Sequence, residues 1–144
     1  MKRVLAVGVF DLLHAGHLHY LEQAKSLGDH LTVVVAHDDT VRQRKHEPVT
    51  SQELRRRMVG GMKPVDVAVV GNPPEKSIYD ILPEINPDII ALGFDQEHAE
   101  DGIRRSLAEL GLSHIEIRRV EGFTEDLDGT RKIIARIIEL RDAE

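Results

Sequence analysis

The feature that most constrains the fold of this chain is a regular alternation of two apolar patterns. Continuous runs rich in valine and isoleucine recur at residues 3–10, 31–36, 66–71, 88–93 and 114–120. Such runs are typical of strands that are covered on both faces, as in a parallel sheet. Between them, apolar spacing indicates helices at residues 17–28, 50–62, 75–85, 99–111 and 129–141. The alternation predicts an α/β, doubly wound domain with a mostly parallel, five-stranded sheet and helices on both faces.

Three local signals bear on the ends of these helices. Gly28 directly follows the apolar stripe of the first helix and is a typical C-terminal stop. Thr50 or Ser51 has a side chain suited to cap the start of the second helix. Pro83 lies inside the third segment, where its missing N–H and fixed φ argue against a regular helix.

Composition excludes several classes of protein. The 144 residues can bury one core and contain no repeat or linker, so we expect a single domain over residues 1–144. A formal net charge of −6 and 3% aromatic residues argue against nucleic-acid binding. The lack of cysteine excludes disulfides, thiolate metal sites and a cysteine nucleophile. No apolar run approaches the roughly 18–20 residues that span a bilayer, and the N-terminal run lacks a cleavage site, so we expect a cytoplasmic protein without a membrane partner.

The segment best suited to chemistry is GVFDLLHAGH, residues 8–17, which joins the first strand to the first helix. Ligands of a doubly wound sheet bind beyond the carboxyl ends of its strands. Gly8 can let a ligand approach the backbone, and the N-terminus of the helix favours an anion. His14 and His17 would add imidazole donors for phosphate oxygens, with stronger bonds when protonated. The residues predict a phosphate site, although neither a Walker A nor a GxGxxG motif is present; the alternative is an ordinary turn.

This segment resembles the His-x-Gly-His signature of the nucleotidylyltransferase superfamily, in its cytidylyltransferase-like branch. Residues 10–36 as a whole are similar to glycerol-3-phosphate cytidylyltransferases and archaeal FAD synthases. The resemblance implies a Rossmann-like domain that transfers a nucleoside monophosphate from a nucleoside triphosphate to a phosphate-bearing acceptor and releases pyrophosphate. It implies that His14 and His17 are catalytic and stabilise the α-phosphate and the leaving pyrophosphate.

The same resemblance implies further nucleotide contacts in this segment. Val9 and Phe10 would contact the nucleotide through their backbone, and Asp11 would position a ligand or order the loop. The nucleotide-binding residues implied here are Gly8, Val9, Phe10, Asp11, His14, Ala15, Gly16 and His17.

Five later residues match family positions in order along the chain. Arg55 falls on the arginine of an arginine-bearing helix, and Lys45 lies where relatives carry a lysine near the triphosphate. Asp95 lies in the turn that contacts the nucleotide after the fourth strand. Arg119 would reach a phosphate, and Thr130 begins the last helix, whose N-terminus would hold the β- and γ-phosphates. Here the usual Ser-Thr-Thr of this helix start is replaced by Gly-Thr-Arg.

The resemblance also favours one acceptor. Ala15 and the Phe-Asp-Gln of residues 94–96 stand where glycerol-3-phosphate cytidylyltransferases carry tryptophans. The segment therefore resembles archaeal FAD synthases more closely, which implies transfer of AMP from ATP to FMN with a divalent metal such as Mg²⁺. The alternatives are a cytidylyltransferase acting on CTP and glycerol 3-phosphate or another polyol phosphate, and a non-catalytic nucleotide-binding module.

The implied reaction sets modest chemical demands. An acceptor phosphate has a second pKa of about 6, so its oxygen can attack the α-phosphorus without a general base. No histidine and aspartate cluster has the spacing of metal ligands, so we expect the triphosphate to hold the metal. The family further implies a possible homodimer.

Overall fold

The computed structural model describes residues 1–93, 97–122 and 129–143, with residues 97 and 98 described by their backbone alone. Its sheet has five strands in the order β3-β2-β1-β4-β5, and every neighbouring pair is parallel. The strands are β1 (Arg3–Gly8), β2 (His30–Val35), β3 (Val67–Val70), β4 (Ile89–Leu92) and β5 (Glu116–Arg119). The predicted α/β architecture is thereby confirmed. The strand order reverses at β1, so a switch point lies between β1 and β4.

Six α-helices surround this sheet in the described part of the chain. They are α1 (Ala15–Ser26), α2 (Asp38–Arg44), α3 (Gln52–Gly60), α4 (Leu82–Ile85), α5 (Glu97–Glu109) and α6 (Thr130–Asp142). Ser51 caps α3 by accepting the N–H of Leu54, which decides between the two predicted caps. The predicted helix at residues 75–85 is instead a 3₁₀ turn, Ile78–Ile81, followed by the single turn of α4, because Pro83 fits only the first turn of a helix.

Helix α2 was not predicted, because its sequence looks like a charged surface segment. Its charges are instead arranged to stabilise a helix, with acidic residues at the positive end of the dipole and basic residues at the negative end. Asp38 and Asp39 lie in the first turn, and Arg42 and Arg44 lie in the last. His37 caps its start, with Nδ1 accepting the N–H of Asp39 at 3.1 Å. The basic residues of the segment are therefore concentrated where α2 ends.

Alternate residues of each strand enter two separate cores. Val4 and Val33 pack with Leu21 of α1 and Val59 of α3 on one face of the sheet. The other face carries a second buried cluster, formed mainly with α4 and α5: Leu5, Val34, Leu82, Ile90, Leu92, Leu107 and Ile117. Both faces are covered, as the continuous apolar runs predicted.

The amino ends of the strands are closed by carboxylates. The side chains of Asp29 and Asp88 accept the backbone N–H groups of Lys2 and Arg3 at 2.7 and 2.9 Å. Asp66 accepts the N–H of Leu31 at 2.8 Å. Space for a ligand lies at the carboxyl ends. In the described residues, no helix is long and apolar enough to cross a membrane.

Candidate active site

The loop after β1 has an unusual backbone. Phe10 and Leu12 adopt φ values of 58° and 53°, a left-handed conformation that is costly for residues other than glycine. Phe10 is nevertheless buried, and its ring centroid lies 5.4 Å from that of His17 and 6.4 Å from that of Tyr20. A Cβ at Gly8 would lie 2.9 Å from the Phe10 ring. Gly8 therefore makes room for a buried ring as well as lining the adjacent cleft.

Asp11 uses its carboxylate to fix a distant segment. Oδ2 accepts the N–H of Val49 at 2.6 Å, and Oδ1 accepts both the N–H and the hydroxyl of Thr50, at 3.1 and 2.6 Å. Burial alone would raise the pKa of Asp11, but these hydrogen bonds outweigh burial and lower the pKa. Of the two roles expected for Asp11, the contacts favour ordering of the loop.

Arg55 lies behind the loop instead of in the cleft. Its side chain is 1% exposed, and its guanidinium donates to the carbonyls of Thr50, Val9 and Ala36 at 2.8–3.0 Å. It also forms an ion pair with Asp38. The prediction that Arg55 binds the nucleotide thus meets a side chain committed to three backbone segments. In the sequence, the run of three arginines at residues 55–57 does not indicate that one of them is buried.

His14 and His17 cap the N-terminus of α1 reciprocally. His14 is the N-cap residue, and its Nδ1 accepts the N–H of Gly16 at 3.0 Å. The backbone N–H of His14 donates to Nδ1 of His17 at 3.2 Å. The two rings stack with centroids 3.8 Å apart. Because Nδ1 of each ring accepts a hydrogen bond, the proton of each neutral ring belongs on Nε2.

The environment keeps His17 neutral near pH 7. Burial lowers the pKa of His17 from 6.5 to about 4. A protonated imidazole would bond phosphate more strongly. The structure instead offers His17 as a neutral Nε2–H donor whose orientation is fixed by the cap.

A second helix N-terminus faces the same space. Gly129 caps α6, and the hydroxyl of Thr130 donates to the backbone carbonyl of Asp11 at 3.2 Å. Neither α1 nor α6 has an acidic residue in its first turn. Both positive helix ends therefore remain available to an anionic ligand.

These elements enclose a cavity of about 1010 Å³ at the carboxyl end of the sheet, hereafter the cleft. The predicted residues that line it are Gly8, Val9, Phe10, Asp11, His14, Gly16, His17, Lys45 and Thr130. Five basic residues outside the predicted site also line it: His19, Arg44, His46, Arg131 and Lys132. Arg131 and Lys132 directly follow the predicted residue Thr130 in the first turn of α6. Their position next to Thr130 in the sequence could have indicated them as further ligands.

Two other predicted residues, Ala15 and Arg119, are placed outside the cleft, and a third is not described. Ala15 is exposed at the first position of α1 and does not line the cleft. Nε of Arg119 lies 3.2 Å from a carboxylate oxygen of Glu100, so this arginine pairs with α5. Asp95 lies outside the described residues.

The charged residues of the cleft favour an anionic ligand. Lysine and arginine outnumber carboxylates in its lining, with Arg44, Lys45, Arg131 and Lys132 against Asp11 and Glu121. Within residues 1–93, 97–122 and 129–143, no group of three or more histidine, aspartate or glutamate side chains could hold a metal ion.

Comparisons with known proteins agree with this geometry. The cytidylyltransferase-like family model matches residues 5–137. The FAD synthase of Thermococcus onnurineus is 47% identical over 138 residues, which cover 95% of this chain and 91% of that protein. The FAD synthase of Aciduliprofundum boonei is 44% identical over 142 residues, covering 99% and 94%.

Solved structures support the same fold. A Thermoplasma volcanium protein described as a lipopolysaccharide core biosynthesis protein has a TM-score of 0.79 and 40% identity, over 85% of this chain and 98% of that chain. Pantothenate synthetase from Thermus thermophilus shares the fold, with a TM-score of 0.63 and 14% identity over 86% of this chain and 56% of its own. The chain therefore belongs to the cytidylyltransferase-like family, and within it to the group that contains the FAD synthases of archaea.

Proposed function

We propose that this chain transfers AMP from ATP to FMN, forming FAD and releasing pyrophosphate. The observation that carries the proposal is the reciprocal cap at α1. It presents two imidazoles to a cleft that also receives the N-terminus of α6. The match to FAD synthases over nearly the whole chain supports ATP and FMN as the substrates.

The reaction proceeds by in-line displacement. A phosphate oxygen of FMN attacks the α-phosphorus of ATP, and the bond from that phosphorus to the oxygen bridging to the β-phosphate breaks. Charge builds on the non-bridging oxygens of the α-phosphate as the new bond forms. Nε2–H of His14 and of His17 donates to these oxygens, which lowers the barrier because the donors are already oriented. FMN phosphate is largely ionised near neutral pH, so no base is needed.

Some basic residues of the cleft bind the leaving pyrophosphate, and another lies on the side of the attacking phosphate. Thr130, Arg131 and Lys132 at the start of α6 hold the leaving pyrophosphate, whose charge suits the helix N-terminus. Lys45, at the end of α2, neutralises the approaching acceptor phosphate. A divalent ion such as Mg²⁺, bound by the triphosphate, supplies further charge neutralisation. Arg55 and Asp11 act indirectly by fixing the loop that carries Phe10.

A pyrophosphate-release assay tests the function. ATP and CTP are each crossed with FMN and glycerol 3-phosphate in the presence of Mg²⁺, and FAD is quantified by chromatography. The proposal expects stoichiometric FAD and pyrophosphate with ATP and FMN only. Turnover only with CTP and glycerol 3-phosphate would identify a cytidylyltransferase. ATP binding without turnover in any pair would identify a binding module.

Location and assembly are part of the same proposal: a cytoplasmic enzyme that forms a homodimer. Helix α6 leaves Ile134, Ile137, Ile138 and Leu140 between 40% and 58% exposed, which offers an apolar surface to a second copy. Light scattering coupled to size exclusion measures the mass directly. A mass near the monomer's 16.2 kDa at micromolar concentration would refute the dimer.

A further inference from the structure

A second cavity lies at the carboxyl end of the sheet, on the face covered by α4 and α5. It measures about 400 Å³, and we call it the apolar recess. Its walls include Leu5, Val34, Tyr79, Ile90 and Ile103. Its volume falls within the range of roughly 300–1,000 Å³ that is typical of small-molecule sites.

The apolar recess and the cleft are adjacent and share part of their walls. Val7, Gly8 and Val9 at the end of β1 line both cavities, as do Arg44 and Lys45 at the end of α2. A single ligand can therefore place one end in the apolar recess and the other in the cleft. Arg44 and Lys45 belong to this shared wall, and their basic side chains suit a phosphate placed there.

A packing defect is a poor explanation for this cavity. Protein cores are close-packed, and voids much larger than a water molecule are few. Val7 and Tyr79 pack against the neighbouring core cluster but remain only partly buried. An apolar lining that stays open to water loses the stabilisation that burial would provide. A flat, apolar group of a ligand would restore that burial.

The in-line geometry of the displacement indicates which substrate occupies the apolar recess. Among the described residues, those of the first turn of α6 line only the cleft and not the apolar recess. Gly8 and Lys45 line both cavities. With pyrophosphate leaving toward α6, the in-line geometry brings the attacking phosphate from the other side, past Gly8 and Lys45. The acceptor's ring then lies in the apolar recess.

We infer that the apolar recess binds the tricyclic ring of FMN, with Tyr79 as an aromatic wall and the phosphate passing Gly8 into the cleft. This inference rests on the proposed function. The competing occupant is the adenine of ATP. Adenine is smaller, and the cleft offers a separate wall for a base at the ends of β4 and β5, where Gly93 and Val120 line it.

Competition with lumiflavin tests the assignment on the unaltered protein. Lumiflavin carries the flavin ring but no ribityl chain and no phosphate, so it probes the ring pocket alone. We expect it to raise the KM for FMN while leaving the KM for ATP unchanged. Competition with ATP instead of FMN would overturn the inference, as would no inhibition up to its solubility limit.

Two variants at one position locate the ring. Tyr79→Ala removes the aromatic wall, and we expect about a tenfold rise in the KM for FMN, equivalent to about 1.4 kcal/mol, with little change in the KM for ATP. Tyr79→Phe keeps the aromatic ring, so its KM for FMN should stay well below that of Tyr79→Ala. A Tyr79→Ala effect on ATP alone, or on neither substrate, would contradict the inference. FAD formation by the unaltered chain is scored separately, so failure of the ring pocket is distinguishable from failure of the proposed function.

Discussion

Helices α1 and α2 begin in nearly the same way and do different things. Each has a histidine as its N-cap, and each histidine accepts a backbone N–H through Nδ1, at 3.0 Å for His14 and 3.1 Å for His37. The first turn of α2 carries two aspartates, whereas that of α1 carries no acidic residue. The positive end of α2 is therefore neutralised within the chain, and that of α1 is left for a ligand.

The difference shows that a histidine cap is not in itself a functional site. Asp38 of α2 is paired with the buried Arg55, so this helix start is part of the scaffold. His14 shares its cap with His17, lines the cleft and lies near a second helix N-terminus. What separates the two sites is the absence of an acidic residue from the first turn of α1 and the presence of the cleft.

The largest expected effect comes from breaking the scaffold at α2. Arg55→Met leaves Asp38 without its partner and three carbonyls without a donor, so we expect a loss of about 3–5 kcal/mol in the free energy of unfolding. The neighbouring Arg56→Met is the control: Arg56 pairs with Glu53 at the surface, where ion pairs contribute little, so its loss of stability should be much smaller than that of Arg55→Met. Urea unfolding followed by circular dichroism measures both. Equal losses would show that Arg55 is not the anchor of the loop.

The next effect concerns catalysis at α1. Asparagine at position 17 can accept the N–H of His14 through its amide oxygen but has no Nε2–H, so it separates the cap from the donor. His17→Asn should lower kcat at least about 100-fold, the usual cost of losing one oriented donor. The free energy of unfolding should change by less than about 1 kcal/mol. Near-normal kcat in steady-state FAD synthesis would remove His17 from the mechanism.

The comparison itself is tested by a matched pair of caps. Asparagine is a good N-cap residue, so His14→Asn and His37→Asn should both preserve their helices. We expect kcat to fall about tenfold or more for His14→Asn and to stay within about twofold for His37→Asn. Assays run side by side on the two variants decide the point. Similar losses in both would mean that capping alone accounts for the role of His14.

The sequence was sufficient for the strands and for the region of the site, because both depend on local patterns. Valine-rich runs placed β1 and β2 within one or two residues, and the position of His14 and His17 after β1 placed the cleft. The start of α1 was missed by two residues, since histidine is not among the usual N-cap residues. The neutral state of His17 depends on burial, which no local pattern shows.

Long-range contacts explain the remaining differences. The burial of Arg55 requires Val9, Ala36 and Asp38 to converge on it, and nothing in its own helix indicates this. Arg119 looked like a phosphate ligand, but Glu100 on α5 lies beside it in the fold. The apolar recess likewise arises from segments far apart in the chain.

The central claim is that reciprocal capping holds His14 and His17 as neutral Nε2–H donors. Long-range ¹H–¹⁵N correlation spectra of histidine-labelled protein measure this directly, with His14→Asn and His17→Asn providing the assignments. At pH 7 we expect an unprotonated Nδ1 and a protonated Nε2 in both rings.

The His17 ring should titrate with a midpoint near 4, because burial lowers its pKa to about 4. The unfolded chain takes up this proton near 6.5, so the stability linked to His17 is present above that pH and is lost as pH falls toward 4. A proton on Nδ1 of either ring at pH 7, or a His17 midpoint near 6.5, would contradict the account.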